Sequence, residues 1–493
     1  MAERFIVLPK LGLRARTQNE IDVLTSFPTV RSTGPANERY INNSITSGNL
    51  RVIDTVAENG PKLIELSPQD VLEASRPDSP VRLVPEVFYK LPEPQFSEML
   101  VEPAAAAGVS TFDVEVLDSQ TNSPIAGCDV RAYSHLGRNE GVSGITGANG
   151  RVRLSLPVNT IDCVMALPAP GTGYWSAYRR SVPASGVIQL KATPVRVPYA
   201  DSVQHYYSYS NFNAATGVVV GVVDTGCGPH NDLNITGGRN TVTGEPASAF
   251  TDGHYHGTHV AGLVGARGQS SARGIAPGIP IRSYRVFGAG ARGASNYAIM
   301  KALILAADDK CDILNLSLGG GPHNVIVEEA ILDARNQGML VVIAAGNGGR
   351  QPVSFPAAYT GATAVAAMGR LGTIPAGATE ELKALRPPSG TDPQEFIADF
   401  SNIGPQIDVV APGVGTVSTL PNNRIGPLSG TSMAAPVVAG AAACLLSQNA
   451  SIHTMPRDRQ RSDTIEKLLQ TSCVKRNFAP NGLSYEGFGM PTV

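Results

Sequence analysis

The sequence predicts an α/β domain over residues 200–493, a parallel sheet with flanking helices, preceded by a small α+β domain (1–95) and a β-sandwich (108–196). Three observations predict it. Apolar runs at 217–223, 312–316, 340–345 and 364–368 each stop at a polar or glycine-rich turn, the pattern of strands buried on both faces. Small-residue segments at 256–264 and 432–446 read as helices between and after those strands. Residues 108–196 instead carry short alternating stretches punctuated by Gly and Asn, as two packed antiparallel sheets do.

Taken in order, residues 4–8 read as a first strand, 50–56 as a second, Asn59-Gly60 as a turn and 62–66 as a third strand. Ser67-Pro68-Gln69-Asp70 opens a helix, with a serine cap and a proline at its first position, and 81–91 closes the unit as a strand. Residues 17–48 give no clear element. In the next unit, 112–117 alternates as a strand, 118–123 is a polar turn, and strands follow at 124–130 and 146–154, the latter around Asn149-Gly150. Residues 104–107 and 197–212 read as linkers.

The chain has 493 residues, 42% of them hydrophobic, enough for several packed domains. A net charge of −2 and a pI near 6.5 argue against nucleic-acid binding. No stretch reads as a run of about twenty apolar residues, so no membrane contact is expected. Charges interrupt Met1–Lys10 before any apolar signal core forms, so a cytoplasmic location is expected, with unconventional export left open. The six cysteines (128, 163, 227, 311, 444, 473) are scattered without CxxC spacing, which suits buried thiols; Cys128 and Cys163 share a domain and could pair after export.

Chemistry concentrates in three segments: Val222-Val223-Asp224-Thr225-Gly226, His256-Gly257-Thr258-His259, and Gly430-Thr431-Ser432-Met433-Ala434-Ala435-Pro436. A serine hydroxyl is a weak nucleophile, so an imidazole must take its proton and a carboxylate must orient that imidazole. Asp224 ends a buried strand and so emerges at the sheet's carboxyl edge, where open α/β sheets form their sites. His256 and Ser432 each begin a helix, whose free N–H groups make the Ser432 amide an oxyanion donor. The strand 340–345 runs into Gly346-Asn347-Gly348 and brings the Asn347 amide to the same edge as a second donor. Any one of these residues alone would be ordinary polarity; four extended motifs in this order are specific.

Residues from about 212 to 493 therefore resemble the subtilisin family of serine proteases. The resemblance implies a subtilisin-like parallel sheet, an Asp224–His256–Ser432 triad and Asn347 as oxyanion donor. It further implies that Ser317, Leu318, Gly319 and Gly320 form one wall of the specificity pocket and pair with substrate, and that Ala344, Ala345 and Gly346 form the other. Gly290 to Gly293 resembles the opposite edge strand, so that an extended peptide is held between two strands. Ser354 falls at the pocket's base and, being small, implies acceptance of large uncharged side chains such as Leu, Phe or Tyr.

The N-terminal unit is similar in layout to subtilisin prosegments, and the sandwich to carboxypeptidase-regulatory-like domains. The first similarity implies an intramolecular inhibitor whose residues 87–91 enter the cleft. Leu91 or Tyr89 would fill the pocket, and self-cleavage would fall within 88–90 or in the linker up to 101. Protein or peptide is the expected substrate.

Several residues depart from the family. Tyr255 stands where many members have glycine, and 262–274 lacks the Asn-rich calcium loop. Asp232 occupies a family calcium position without a matching partner loop, so no high-affinity calcium is expected there; no organic cofactor is called for, and calcium elsewhere stays open without being expected. Residues 371–397 read as a surface insertion. Asp252, His254, His256 and His259 could suggest zinc, but His256 is committed to catalysis and His259 to the helix motif. Cys227 reads as a small buried side chain. The leading expectation is a serine endopeptidase. The alternatives are a transpeptidase or macrocyclase on the same scaffold and an autoinhibited, protease-like binding protein.

Overall fold

In this computed structural model the described residues are 3–27, 51–67, 71, 76, 79–90, 100–103, 108–196, 201–207, 215–291, 293–384, 390–478 and 482–493. The Val- and Ile-rich runs of the C-terminal part form strands whose successive side chains face opposite sides. Val222 packs into one core with the helices His256–Gly265 and Thr431–Gln448. Its neighbour Val223 packs into the other, with Asn296–Asp308 and Val325–Asn336. The result is one sheet with helices on both faces.

The strands run Ile235–Asn240, Ile281–Arg285, Val220–Asp224, Ile313–Leu316, Leu340–Ala344 and Thr363–Arg370 across the sheet, all parallel. Thr363–Arg370 then pairs with Ile407–Pro412 in parallel and with Glu395–Ile397 antiparallel. The first strand in sequence thus lies inside the sheet, between strands laid down on either side of it. That reversal of winding opens a crevice at the carboxyl end of Val220–Asp224. The helix Thr431–Gln448 is long and apolar enough to cross a membrane by length and composition, but 83% of that stretch is buried in the fold. Its alanines, and Gly440 with no side chain, allow close packing in the core.

At the N-terminus, Arg51–Thr55, Lys62–Leu66, Glu3–Pro9 and Val81–Pro85 form an antiparallel sheet in that order. A helix the sequence reading left out, Gln18–Ser26, covers it. Thr17 caps this helix through its side chain, while the Glu20 carboxylate accepts from the Thr17 amide at 3.0 Å, a reciprocal capping box. The helix expected to open at Ser67-Pro68 lies outside the described residues apart from Val71.

The sandwich packs Ala177–Pro183, Thr160–Leu167, Asp129–His135 and Glu140–Ile145 against Val187–Ala192, Ser110–Asp118 and Arg151–Leu156. Phe112, Val114, Val130 and Val164 fill its core. Its Asn149-Gly150 turn needs glycine: φ is +71°, and a Cβ there would lie 2.7 Å from the Val116 carbonyl.

Two expectations are corrected. The stretch 197–212 is not simply a linker. Within it, the helix Ser202–Tyr206 is capped by Asp201, whose carboxylate accepts from Gln204 N at 2.8 Å and from Val417 N at 2.6 Å. Val203 and Tyr207 enter the main core beside it. The stretch 371–397 is not a surface insertion either. Ile374, Ala378 and Phe396 are core residues, Glu395–Ile397 is a sheet strand, and the turn Thr379–Lys383 lies against the sandwich. All six cysteines are unpaired. Burial pushes the Cys128 and Cys163 thiols up to about 12.

Candidate active site

Asp224 closes its strand fully buried, and its carboxylate accepts from the Thr225 amide at 2.7 Å. His256 Nδ1 lies 2.8 Å and 3.0 Å from the two carboxylate oxygens. An ionised carboxylate only accepts, so Nδ1 carries the proton and Nε2 is left as the basic nitrogen. Nε2 is buried without a hydrogen-bond partner. Burial pushes the imidazole down, but the Asp224 charge and hydrogen bond outweigh it, so His256 titrates above its ordinary value. The helix His256–Gly265 can approach the strand this closely because residue 257 is glycine; a Cβ there would sit 2.0 Å from the Gly226 carbonyl oxygen.

Sequence reasoning did not give Asp252 a role in positioning this helix. Its carboxylate accepts from the Thr225 hydroxyl at 2.9 Å and from the Thr258 amide at 2.8 Å, and the Thr225 hydroxyl in turn accepts from Gly257 N at 2.9 Å. His259 is not beside a metal. Its Nε2 lies 3.1 Å from both the Thr416 and Gly426 carbonyls, to which only a protonated Nε2 can donate. Burial, with the neighbouring His256, drives its pKa down to about 3, so it stays neutral. Tyr255 stacks on His254 with ring centroids 3.9 Å apart.

Ser432 is the second residue of Thr431–Gln448 and is almost fully buried. Pro436, four residues on, has no N–H to give the Ser432 carbonyl. The Ser317 hydroxyl supplies that donor at 2.8 Å and itself accepts from Asn315 Nδ2 at 2.9 Å. The Ser432 hydroxyl lies 3.4 Å from the Ser317 carbonyl. The helices carrying His256 and Ser432 pack against each other.

Asn347 sits exposed after the strand Leu340–Ala344, with its Oδ1 held at 2.9 Å by both the amide and the hydroxyl of Thr431. The oxygen so engaged, the NH₂ group is the end left for a ligand. Asn402, which sequence reasoning missed, secures the same turn: its Oδ1 accepts from Gly348 N at 2.8 Å and its Nδ2 donates to the Ala345 carbonyl at 3.2 Å. No short motif marks it, since its partners lie more than fifty residues away in sequence.

The cleft is occupied by the chain's own segment Phe88–Lys90. It pairs antiparallel with Gly293–Ser295, and Lys90 N donates to the Gly319 carbonyl at 3.1 Å. Gly293 and Gly319 therefore flank this segment. Gly290 does not: it lies at φ +70° in the exposed turn before that strand, outside the pairing. Gly320 lies under the Lys90 stem. Tyr89 does not fill the pocket above Ser354. It is fully buried against Gly321 and its hydroxyl donates to the Pro322 carbonyl at 3.2 Å, while Leu91 lies outside the described residues. Ser354 sits between the two expected walls: a Cβ on Gly319 would come within 3.1 Å of its hydroxyl and one on Gly346 within 2.5 Å. The Leu318, Ala344 and Ala345 side chains point into the cores, so these residues shape the walls through their backbones.

Around Asp232, donors occupy the carboxylate: Gln269 N at 3.1 Å, Ser270 N at 2.8 Å and the Ser270 hydroxyl. Calcium requires six to eight oxygen ligands, the opposite chemistry, so these residues do not fit it. Among the described residues no group of three or more His, Cys, Asp or Glu side chains could hold a metal. Cys227 is packed in the core, its thiol raised by burial.

Comparison with known proteins agrees with this architecture. Residues 215–489 match the Peptidase_S8 profile, described as Subtilase family. Subtilisin BL of Lederbergia lenta is 39% identical over 52% of this chain and 86% of its own. Subtilisin DY of Bacillus licheniformis is 34% identical over 56% and 93%. An alkaline protease of Alkalihalobacillus alcalophilus is 38% identical over 52% and 61%. Among solved structures, the S41 psychrophilic protease aligns with a TM-score of 0.49 at 26% identity, over 59% of this chain and 97% of that one. With more than half of its length matched to that profile, the chain belongs to the subtilase family and is a serine endopeptidase.

Proposed function

We propose that Ser432 is the nucleophile, His256 the general base and acid, Asp224 its orienting carboxylate, and Asn347 with the Ser432 amide the oxyanion donors. The observation that carries this is the doubly received Nδ1 of His256, which leaves a buried, unpartnered Nε2 on a helix packed against the Ser432 helix. Ser432 Oγ attacks the scissile carbonyl as its proton passes to Nε2, and the oxyanion accepts from the Asn347 NH₂ and the Ser432 N–H. Nε2 then gives the proton to the leaving amine, and water repeats the sequence on the acyl-enzyme. The space between glycines 319 and 346, floored by Ser354, favours large uncharged side chains before the scissile bond.

Residues 1–95 act on this reading as an intramolecular inhibitor, supported by the Phe88–Lys90 strand lying where an extended substrate would. Further support comes from their docking on the two helices of one face: Lys301 Nζ to Asp54 at 2.7 Å, Asn296 Nδ2 to the Pro85 carbonyl at 3.0 Å, and Arg82 paired with Glu329. A fluorophosphonate probe should label the wild type and not Ser432→Ala, and Ser432→Ala should lose hydrolysis of a Leu- or Phe-directed chromogenic peptide at an unchanged melting temperature. Wild-type turnover by that variant would overturn the assignment.

A further inference from the structure

The β-sandwich and the peptidase domain enclose between them a cavity of about 460 Å³ that none of the chemistry above uses. That is within the size of functional pockets, about 300–1,000 Å³. The sandwich contributes Ile145, Leu167 and Tyr174; the peptidase contributes Pro427, Leu428 and Glu380. The two halves are joined firmly enough to preform it. Ser176 Oγ lies 2.7 Å from Glu380 Oε2 and accepts from Thr379 N at 3.0 Å, and Tyr178 N donates to the Gly377 carbonyl at 2.8 Å. Trp175, 1% exposed, is buried in the core that also holds the Ser432 helix.

Its position relative to the nucleophile follows from the chain. Leu428 and Ser429 line the cavity, and Ser432 is three residues after Ser429, at most about 11 Å of backbone. The bound segment runs from Tyr89 over Gly321 to Lys90 at Gly319, and Ser317 in turn touches Ser432, so a peptide in this groove runs toward Ser432 in its amino-to-carboxyl direction. None of residues 88–90, 293–295 or 317–321 lines the cavity. A polypeptide held in the groove therefore reaches the cavity with the residues that follow the scissile bond.

The lining also fixes the chemistry. Apolar side chains dominate, and Ile145 stands 61% exposed, an uncovered apolar side chain on this surface. The four charged residues of the lining balance, Asp129 pairing with Arg131 at 3.0 Å and Glu380, held at 2.7 Å by Ser176, with Lys383 as the other cation, so the lining selects neither sign. We propose that this cavity is a second substrate-binding site, which takes an apolar side chain of the polypeptide roughly three to six residues beyond the scissile bond. The proposal rests on Ser432 being the nucleophile.

The test uses the full-length protein and two sets of fluorogenic peptides with identical residues up to the scissile bond. One set ends two residues beyond it; the other continues for eight, with Leu scanned through a Gly/Ser background. Leu at one or two positions in the stated window should raise kcat/KM about tenfold, chiefly through KM. Ile145→Glu, and Ala169→Glu at a second residue that lines the cavity, should each erase that gain while leaving the short peptide's kcat and KM at wild-type values. A wild type that cleaves the short peptide but gains nothing from Leu overturns the second site alone, as does a gain that survives both substitutions. A wild type whose N-terminus is shown to lie beyond residue 90 and which still cleaves neither set removes the Ser432 assignment and this site with it.

Discussion

Thr431 grips Asn347 with both of its polar groups, the backbone N–H and the hydroxyl each donating to the carboxamide oxygen at 2.9 Å. A carboxamide held by its oxygen presents its NH₂ in a fixed direction, which is what a preorganised oxyanion donor needs. Asn347→Ala should lower kcat by about 10²–10³, a magnitude that comes from the equivalent donor of a subtilisin, with KM little changed. Thr431→Val keeps the amide contact and loses the hydroxyl one, so its loss in kcat should be smaller and of the same kind. Steady-state kinetics on one chromogenic peptide distinguish this from a binding role, in which KM would rise instead.

The Asp224 contact carries a pH prediction. His256 must be neutral to accept the serine proton, and its folded-state value is raised, so the acid limb of kcat/KM should fall above the ordinary imidazole value of 6.5. The same sign applies to stability: the charged His256–Asp224 pair contributes fully below pH 6.5, and that contribution is lost as pH rises through the folded-state value. Asp224→Asn removes the raising charge and should move the limb to lower pH while cutting kcat by about 10⁴. A limb that stays in place in the variant would separate His256 from Asp224.

Asp224, His256 and Ser432, the triad proposed above, stand out in the sequence because that chemistry demands particular residue types inside short contiguous motifs, each at the end of an apolar strand or the start of a small-residue helix. Asn402 and the Ser317–Ser432 contact do not, because they exist only once the chain is folded; Pro436 hinted at the second by leaving the Ser432 carbonyl unpaired. The edge strand was placed about three residues early, at Gly290, since register is set by the partner strand and not by glycine content. In 371–397, Gly, Pro and Glu masked the few apolar residues, Ile374 and Phe396 among them, that take it into the core. Thr17-Gln18-Asn19-Glu20 carries a readable capping box, and only the weak apolar pattern after it hid the helix.

Around Asp232, three donors take the place a cation would fill. Excess EGTA or added calcium should therefore move the melting temperature little, because linkage needs a site to bind. Asp232→Ala should destabilise by about 1–3 kcal/mol by orphaning those donors, equally with and without calcium. A calcium-dependent rise in melting temperature lost in Asp232→Ala would reverse this reading.

Tyr89 anchors the segment in the cleft through a buried ring and a hydroxyl bond to Pro322. Tyr89→Ala should cost that segment about 3–5 kcal/mol of packing and loosen it from Gly293–Ser295. Fluorophosphonate labelling of the full-length chain should then be faster than in the wild type. Equal labelling rates would remove residues 1–95 as the inhibitor.

Where the chain is cut should follow from what is docked to what. Phe88–Lys90 lies on the amino-terminal side of the groove, with Lys90 still at Gly319, so the bond that reaches Ser432 lies beyond residue 90 and not within 88–90. The sandwich should not be discarded with the N-terminal unit. Trp175 is buried in the peptidase core, its ring 3.0 Å from where a Cβ on Gly415 would be, and Gly415 N donates to Ser429 Oγ at 2.9 Å just ahead of Thr431 and Ser432. Stripping the sandwich away would empty that core position, and Trp175→Ala alone should cost about 3–5 kcal/mol. Edman sequencing of the purified wild type should give a new N-terminus between residues 91 and 110, while Ser432→Ala retains the original one. A wild-type N-terminus near 200 on a fully active enzyme would show that the sandwich is dispensable to the peptidase fold.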